Sequence, residues 1–402
     1  MKLGDIIDIK HGFAFSGDHI IEEDNGVVLV TPGNFRIGGG FQEKKCKFFD
    51  GEIPQEYVLN EGDFIVTMTD LSKTIDTLGY SALVPKSSSR MYLHNQRIGL
   101  VKFKNDSCDR GYIYWLMRTR GYQRTIANTS TGSTVHHTSP TKICDFEFNP
   151  PSHTVQRRIA EVLSRYDALI ENYQRQIKLL EEAAQRLYKE WFVDLRFPGH
   201  QSTPIINNLP QSWQKKKLGE IGKVITGKTP STSKKENYGG SIPFITIPDM
   251  HNGVYPDSSL FLSDIGANSQ RGKFIPPNSL MVSCIGTAGL VCISKENCQT
   301  NQQINTLVLE DKGALYYLYF VLRSLKEHLV NLGSNGATMT NVNKTKFESI
   351  EIMFPCKSLI ESFYVEVKNH FECIKNLSYQ IRNLSEARDR LLPKIMNGEI
   401  EV

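Results

Sequence analysis

A heptad pattern of apolar positions occurs twice in this chain, 204 residues apart. In the first copy, apolar side chains recur at alternating steps of four and three over 26 residues, with charged residues between them. Adding 204 to each position keeps six of the eight positions apolar. The pattern predicts two long helices, over residues 153–195 and 357–397, that pair with each other; helices that pack only on their own domains are the alternative. The predicted helix-pairing residues are Tyr166, Ile170, Tyr173, Ile177, Leu180, Leu187, Trp191, Ile374, Leu377, Ile381, Leu384, Leu391 and Ile395.

The two helices end two copies of one larger unit. The segment KLGDI at residues 2–6 returns as KLGEI at 217–221, and NQRI at 95–98 returns as NQQI at 301–304. A period near 205 residues is too long for a solenoid repeat. It therefore indicates a duplicated domain with one long helix in each copy.

Outside the helices, short β-rich runs alternate with loops rich in Gly, Ser and Asn, and each copy holds one aromatic, helix-like stretch, at residues 111–126 and 314–330. The β-rich runs are residues 26–30, 64–68, 98–103, 243–247, 280–284 and 304–309. We predict a mixed α/β fold class, in which two similar domains are joined by two long antiparallel coiled-coil helices with a pseudo-two-fold internal repeat. The predicted segments are a first domain at 1–150, a central helix at 151–197, a linker at 198–216, a second domain at 217–354 and a C-terminal helix at 355–402.

Composition narrows the class of protein. With 40% hydrophobic and 22% charged residues among 402, the chain is not mostly disordered. It contains no run of 18 uncharged apolar residues that could span a membrane. The first residues lack the apolar core of a signal peptide, so we expect a cytoplasmic protein that begins at Met1. The eight cysteines form no CxxC pair, and we expect free thiols and no zinc site.

The net charge of +4 is too small to indicate nucleic-acid binding by itself. Residues 1–150 carry 17 basic and 18 acidic side chains, whereas residues 210–354 carry 15 and 11. Residues 1–150 therefore have a net charge of −1 and residues 210–354 a net charge of +4. Any contact with nucleic acid must come from local patches and polar loops.

Residues 222–229 match the phosphate-binding pattern GxxxxGK followed by Thr. A phosphate-binding loop of this type requires a helix immediately after it, because the helix N-terminus holds the phosphates. Here Pro230 and a polar stretch without an apolar helical face follow, so we predict no nucleotide site. A nucleotide-binding enzyme that uses this segment is kept as an alternative. We predict no catalytic residue and no metal ligand in the chain.

Several further segments together resemble the specificity (S) subunit of type I restriction-modification systems. The resemblance covers essentially the whole chain and rests on a combination of short motifs. These are PPS at residues 150–152 with QRRIAEVL at 156–163, WFVD at 191–194 with RFPG at 196–199, LPQSW at 209–213 with KLG at 217–219, TGKTPS at 226–231 with IPF at 242–244, and LLPKI at 391–395 with NGEI at 397–400.

The resemblance implies a subunit without its own active site. Its two target recognition domains, residues 1–150 and 217–354, would each read one half of a split site in double-stranded DNA, with the paired helices as a spacer. It would dock two methyltransferase (modification) subunits that carry S-adenosylmethionine, and restriction/translocase subunits that use ATP and Mg. The assembled complex would be an adenine-specific DNA methyltransferase and an ATP-dependent endonuclease. A recognition subunit of another methyltransferase or nuclease assembly is the alternative.

Comparison of the two copies indicates which segments contact DNA, because shared residues serve the scaffold while differing loops can carry different preferences. Eleven residues separate Thr67 from Gly79, but only five separate Ser283 from Gly289. The loops at 129–137 and 334–341 are both polar and centred on glycine. Hydroxyl, amide and imidazole groups can hydrogen-bond bases and phosphates without adding net charge. The shared Asn-Gln pairs at 95–96 and 301–302 have either a structural role at a strand end or a phosphate contact.

The predicted DNA-binding residues of the first copy are Thr69, Ser72, Lys73, Thr74, Arg97, Thr131, Ser133, Thr134, His136 and His137. Those of the second copy are Lys228, Thr229, Ser231, Thr287, Gln303, Ser334, Asn335, Thr338, Thr340 and Asn341.

Overall fold

The computed structural model of the protein describes residues 1–44, 46–72, 74–206, 209–334 and 340–402. The chain divides into two compact units, the first formed by Met1–Leu169 with Leu384–Val402 and the second by Ile170–Asn383. Each unit thus includes parts of both long helices. The domain boundaries predicted from the sequence treat the two helices as separate segments. Those boundaries stay a prediction.

The first unit contains two main sheets. Its strands are β1 (Ile7–His11), β2 (Ile20–Ile21), β3 (Val27–Val30), β4 (Lys47–Phe49), β5 (Val58–Leu59), β6 (Phe64–Thr67), β7 (Thr69–Asp70), β8 (Ser81–Leu83), β9 (Met91–His94), β10 (Ile98–Phe103) and β11 (His136–His137). Its helices are α1 (Arg110–Leu116), α2 (Arg120–Asn128), α3 (Pro140–Cys144) and the start of α4 (His153–Tyr188). The antiparallel sheet has the order β1-β10-β6-β8, and a second sheet has the order β2-β4-β3-β9-β5. Strands β3 and β9 are parallel.

Strand β1 lies at the edge of its sheet, and its alternation of apolar and polar residues is typical of a strand with one buried face. Ile7 and Ile9 are buried, while Asp8 and Lys10 are exposed, as expected for a strand with one face on the core. The core beneath this sheet includes Trp115 from α1 and residues of both long helices. The first unit is therefore a sheet packed on helices, as the mixed α/β prediction requires.

The second unit repeats the plan of the first. Its strands are β12 (Ile205–Ile206), β13 (Leu209–Pro210), β14 (Gln214–Lys217), β15 (Gly222–Thr226), β16 (Tyr238–Ile245), β17 (Leu260–Leu262), β18 (Leu280–Ser283), β19 (Val291–Ile293), β20 (Gln299–Thr300), β21 (Ile304–Leu309) and β22 (Glu351–Phe354). Its helices are the remainder of α4 and α5 (Leu218–Ile221), α6 (Ile247–Met250), α7 (Asp264–Asn268), α8 (Leu315–Ser324), α9 (Lys326–Gly333), α10 (Lys344–Glu348) and most of α11 (Lys357–Met396). The main sheet, β15-β21-β18-β19, has the same order as β1-β10-β6-β8. The second sheet, β17-β16-β20, keeps the parallel pair β16 and β20.

Corresponding backbone contacts confirm that the sequence repeat is a structural repeat. A Cβ atom at Gly12 would lie 2.2 Å from the carbonyl oxygen of Asn95, and one at Gly227 would lie 2.1 Å from that of Asn301. Only glycine permits so close an approach of two backbone segments. The same position therefore requires glycine in both copies.

The aromatic stretches and one β-rich run differ from their predictions in detail. Each aromatic stretch forms two helices instead of one, α1 with α2 and α8 with α9. In the first copy the break occurs because the Thr119 side chain accepts a hydrogen bond from the backbone N–H of Tyr122 and so begins a new helix. The run at 243–247 ends at Ile245, since Thr246 and Asp249 form the cap of α6.

The long helices have the predicted extent, and they contact each other within each unit. Helix α4 continues as a π-helical turn at Lys189–Val193. In the second unit, Phe363 of α11 lies against Trp191, with ring centroids 5.8 Å apart, and against Phe192, at 5.0 Å. In the first unit, the end of α11 meets the start of α4, where Ile395 and Leu163 share one core. Within each unit the helices thus pair with each other and also pack on their own domain.

One heptad position in α11 carries a charge instead of an apolar group, and a buried ion-pair cluster explains it. Arg388 contacts Asp167 of α4 at 2.5 Å, and the same carboxylate contacts Arg118, just beyond α1, at 2.5 Å. Burial alone would raise the pKa of Asp167, but the two guanidinium groups hold it below its ordinary value. This cluster ties both helices to the first domain.

All eight cysteines are free, as predicted. Four of them, Cys108, Cys284, Cys292 and Cys298, are buried. Within the described ranges, the helices are too short or too polar to cross a membrane.

Candidate nucleic-acid interface

In each unit, the polar segments singled out from the sequence meet at one end of the main sheet. Strand β1 ends there, β10 begins there and β6 ends there, so the segments that follow or precede them are neighbours. We name this surface the loop end. In the first unit it comprises residues 12–13, 95–97, 68–78 apart from 73, and 129–138. In the second unit it comprises residues 227–231, 301–303, 284–288, 334 and 340–342.

Backbone hydrogen bonds hold the loop end of the first unit together. The N–H of Phe13 donates to the carbonyl of His94 at 2.9 Å, and that of Met68 donates to Arg97 at 2.9 Å. The N–H of Thr138 donates to Met68 at 3.0 Å. The four segments therefore form one connected surface.

The loop end of the second unit is built in the same way. The N–H of Lys228 donates to Thr300 at 2.9 Å, and that of Cys284 donates to Gln303 at 2.8 Å. The N–H of Val342 donates to Cys284 at 2.9 Å. The two copies thus present different side chains on an equivalent backbone arrangement.

Two loops that the sequence suggested separately are paired strands in the first unit. Strand β7 pairs with β11, so Asp70 lies opposite His136 and Thr69 opposite His137. The Thr69 hydroxyl oxygen lies 3.1 Å from Nδ1 of His137, and Thr69 is only 3% exposed. Thr131 and His137 exchange two backbone hydrogen bonds of 3.0 and 2.8 Å. Thr69 is therefore a buried residue that holds His137 in place at this surface.

Among the described residues of the second unit, the corresponding contact is one bridge. Ile285 lies opposite Asn341, and the N–H of Gly286 donates to the carbonyl of Thr340 at 3.1 Å. The two loops meet in both units, but the longer loop of the first unit gives it a second pair of opposed residues.

The asparagine of each shared Asn-Gln pair has a structural role. The side-chain oxygen of Asn95 accepts the N–H of Arg97 at 3.1 Å, and that of Asn301 accepts the N–H of Gln303 at 3.2 Å. Both asparagines are buried. The neighbouring Gln302 is exposed and accepts a hydrogen bond from the Thr229 hydroxyl at 2.5 Å. The turn is thus part of the scaffold, while the glutamine faces outward.

The other predicted DNA-binding residues differ in exposure. The exposed ones are Thr74, Arg97, Thr131, Ser133, Thr134, His137, Lys228, Ser231, Thr287 and Asn341. The half-buried ones are Ser72, His136, Thr229, Gln303, Ser334 and Thr340. Lys73, Asn335 and Thr338 lie outside the described residues.

Two features of the loop end escaped the sequence comparison. Phe13, at the position equivalent to Lys228, is partly exposed and contacts Tyr57, with ring centroids 5.2 Å apart. The Lys10 ammonium lies 4.6 Å from the centroid of the Tyr57 ring. Alignment of Gly12 with Gly227 could have found this aromatic and basic group. The second feature is the buried Asp70, which no repeat marks because the second copy lacks this part of the loop.

The segment at 222–229 does not form a phosphate-binding loop. Its first five residues are β15, which pairs with β21 throughout. The N–H groups of Gly227 and Lys228 are already bonded to Ile304 and Thr300. After Thr229 the fully described chain has turns and a short 3-10 helix at Lys235–Asn237, so no α-helix N-terminus follows the segment. The prediction against a nucleotide site is consistent with this geometry.

The duplicated mixed α/β domain, with matching scaffolds and different loops, gives the protein two loop ends that carry different side chains. The chain matches the family described as "Type I restriction modification DNA specificity domain" over residues 1–182 and 210–377. It belongs to this family.

Several known specificity subunits are similar to this chain. The chain is 32% identical to the type I restriction enzyme HindI specificity subunit of Haemophilus influenzae over 344 residues, which is 70% of this chain and 75% of that protein. It is 29% identical to the type I restriction enzyme MjaIX specificity subunit of Methanocaldococcus jannaschii, over 72% of this chain and 69% of that protein. The crystal structure of a type I restriction-modification S subunit from M. genitalium has a similar fold, with a TM-score of 0.57, 14% identity and coverage of 98% of this chain and 95% of that chain.

Proposed function

We propose that this chain is the non-catalytic subunit that gives a type I restriction-modification complex its DNA sequence specificity. Each loop end contacts one half of a bipartite site in double-stranded DNA. The observation that carries the proposal is the convergence of the polar loops at the same end of the same sheet in both units. One scaffold that holds two different loop sets suits two different half-sites.

The chemistry of the loop ends agrees with groove recognition. Hydroxyl, amide and imidazole groups such as those of Thr131, His137 and Asn341 can donate to base edges and phosphates. Arg97 and Lys228, both exposed, supply positive charge at equivalent surfaces. This local arrangement explains how a first domain without excess positive charge can bind DNA.

The partners follow from the family. We propose that the chain docks two methyltransferase subunits that carry S-adenosylmethionine, and restriction/translocase subunits that use ATP and Mg. The assembled complex then methylates adenine and cleaves unmodified DNA, in the cytoplasm. A recognition subunit of a different nuclease or methyltransferase assembly is the competing hypothesis.

Genome-wide mapping of methylated adenine in the host, with and without this gene, tests the proposal. We expect a split adenine-methylated motif that disappears when the gene is deleted and returns with a plasmid copy. Purification of the tagged chain should recover a methyltransferase subunit. Copurification of a nuclease without a methyltransferase, together with an unchanged methylation map, would favour the competing hypothesis.

A further inference from the structure

The loop of the first unit that is longer than its counterpart is organised around one buried carboxylate. Asp70 is 2% exposed, and its Oδ1 atom accepts the N–H of Ser72 at 2.6 Å. Its Oδ2 atom accepts the N–H of Thr77 at 2.6 Å, the Thr77 hydroxyl at 2.7 Å and the N–H of Leu78 at 3.1 Å. One side chain thus joins Ser72, near the start of this loop, to Thr77 and Leu78 at its end.

We propose that Asp70 is a positioning residue for DNA recognition, which holds residues 71, 72 and 74–77 in their DNA-contacting conformation without touching DNA itself. The inference rests on the proposed function, and it makes part of the sequence preference of the first unit depend on one buried side chain. It applies to this unit alone, because the second unit has only five residues between Ser283 and Gly289.

Further hydrogen bonds constrain the described residues of this loop. The N–H of Asp76 donates to the Ser72 hydroxyl at 3.0 Å, and the Gln123 side chain of α2 donates to the carbonyl of Ile75 at 2.6 Å. Ile75 has a φ of +54°, which a β-branched residue adopts only when its surroundings impose it. The hydrogen bonds of Asp70 are among the interactions that impose this conformation.

A defined conformation matters because disorder in a loop must be removed when it binds. Ordering each residue costs backbone entropy, so a preformed loop binds more tightly than a disordered one with the same contacts. The tip of the loop is accessible: Leu71 is 58% exposed and Thr74 is exposed. Asp70 itself is covered, so its effect on DNA must pass through these residues.

Asp70→Asn is the sharpest perturbation because it keeps the shape and removes an acceptor. Whichever way the amide points, its NH2 group faces at least one of the four donors that the carboxylate now accepts. Burial alone would raise the pKa of Asp70, but these hydrogen bonds hold it below its ordinary value, so the wild-type group is ionised at neutral pH. Thr77→Val is a milder second variant that removes only one of the donors.

The experiment uses the full chain and a library of DNA duplexes with randomised sequence, selected and sequenced to give a preference at each base. For the wild type we expect two preferred half-sites. Asp70→Asn should flatten the preferences in one half-site and weaken binding of the selected duplex about 5–150-fold, the equivalent of one lost base contact. Thr77→Val should flatten the same positions less. Asp106→Asn, the same chemical change at a side chain that is 87% exposed, is the matched control.

Each outcome has a separate meaning. If the wild type selects two half-sites and both loop variants select the same sequences as the wild type, Asp70 has no positioning role. Equal flattening of both half-sites would indicate general damage to the chain and would also overturn the inference. If the wild type itself selects no sequence, the proposed function is wrong, and the inference falls with it.

Discussion

Asp167→Asn removes the carboxylate that two buried guanidinium groups share in the first unit. The side chains of Arg118 and Arg388 are 3% and 12% exposed, so neither recovers full hydration when its partner loses its charge. Removal of one partner of a buried ion pair costs about 3–5 kcal/mol. Arg118 keeps a hydrogen bond to the carbonyl of Gly38, and Arg388 keeps its ion pair with Asp389. We therefore expect a loss near the lower limit, about 3 kcal/mol in the free energy of unfolding.

Urea denaturation at pH 7, followed by circular dichroism and tryptophan fluorescence, measures this loss. Trp115 is a local probe, since the Arg118 guanidinium carbon lies 4.1 Å from its ring centroid. Asp145→Asn is the control, because the ion pair of Asp145 with Lys2 is about half exposed and should contribute nothing measurable. If Asp167→Asn destabilised the protein no more than this control, the buried cluster would have no stabilising role.

The lowered pKa of Asp167 also predicts how the stability difference between wild type and Asp167→Asn changes with pH. The pKa of Asp167 lies below its ordinary value of 3.8 in the folded protein, so the unfolded chain takes up this proton first on acidification. The stabilisation is therefore complete at neutral pH and disappears as the pH falls through the folded-state pKa. The difference in stability between wild type and Asp167→Asn should shrink in acid. A difference that grows on acidification would contradict this assignment.

Three further predictions concern the second unit. Gly227→Ala places a Cβ atom 2.1 Å from the carbonyl oxygen of Asn301, and thermal denaturation should show a loss of about 1–3 kcal/mol. Lys228→Ala should leave the ATPase of an assembled complex unchanged. If the ammonium contacts a phosphate, the salt dependence of DNA binding falls by about one unit of slope. Saturable ATP binding by the isolated chain that this variant abolishes would contradict the prediction that residues 222–229 form no nucleotide site. Phe363→Ala removes a fully buried ring that contacts Trp191, and we expect a loss of about 3–5 kcal/mol in urea denaturation, whereas a loss below about 1 kcal/mol would show that the helices do not depend on this contact.

The sequence was most informative where structure depends on local periodicity. The heptad positions predicted both long helices, and the repeated segments at 2–6 with 217–221 and 95–98 with 301–304 aligned the two copies, because each reflects a requirement of nearby backbone. Arg388 is a charged residue at a position where the heptad pattern predicts an apolar one. Its partners Asp167 and Arg118 are distant in sequence, and only the folded chain shows that the charge is balanced.

The sequence was less informative about the loop end, because contacts there depend on register between distant segments. The pairing of Thr69 with His137 is a case in point, since no local pattern indicates which residue of one loop opposes which residue of the other. Burial of Thr69 and Asp70 follows from that pairing. Internal comparison could not mark Asp70 either, as the shorter loop of the second copy lacks this part.

The way the longer loop is attached explains how one scaffold can carry different loops. In the first unit the N–H of Gly79 donates to Thr67 at 3.0 Å, and in the second that of Gly289 donates to Ser283 at 2.9 Å, so the two loops leave and rejoin their sheets alike. Extending a flexible loop from five to eleven residues costs only about 0.7 kcal/mol in closure entropy. A single net hydrogen bond of about 1 kcal/mol offsets this cost, and Asp70 accepts four. A change of loop therefore requires no change in the strands beneath.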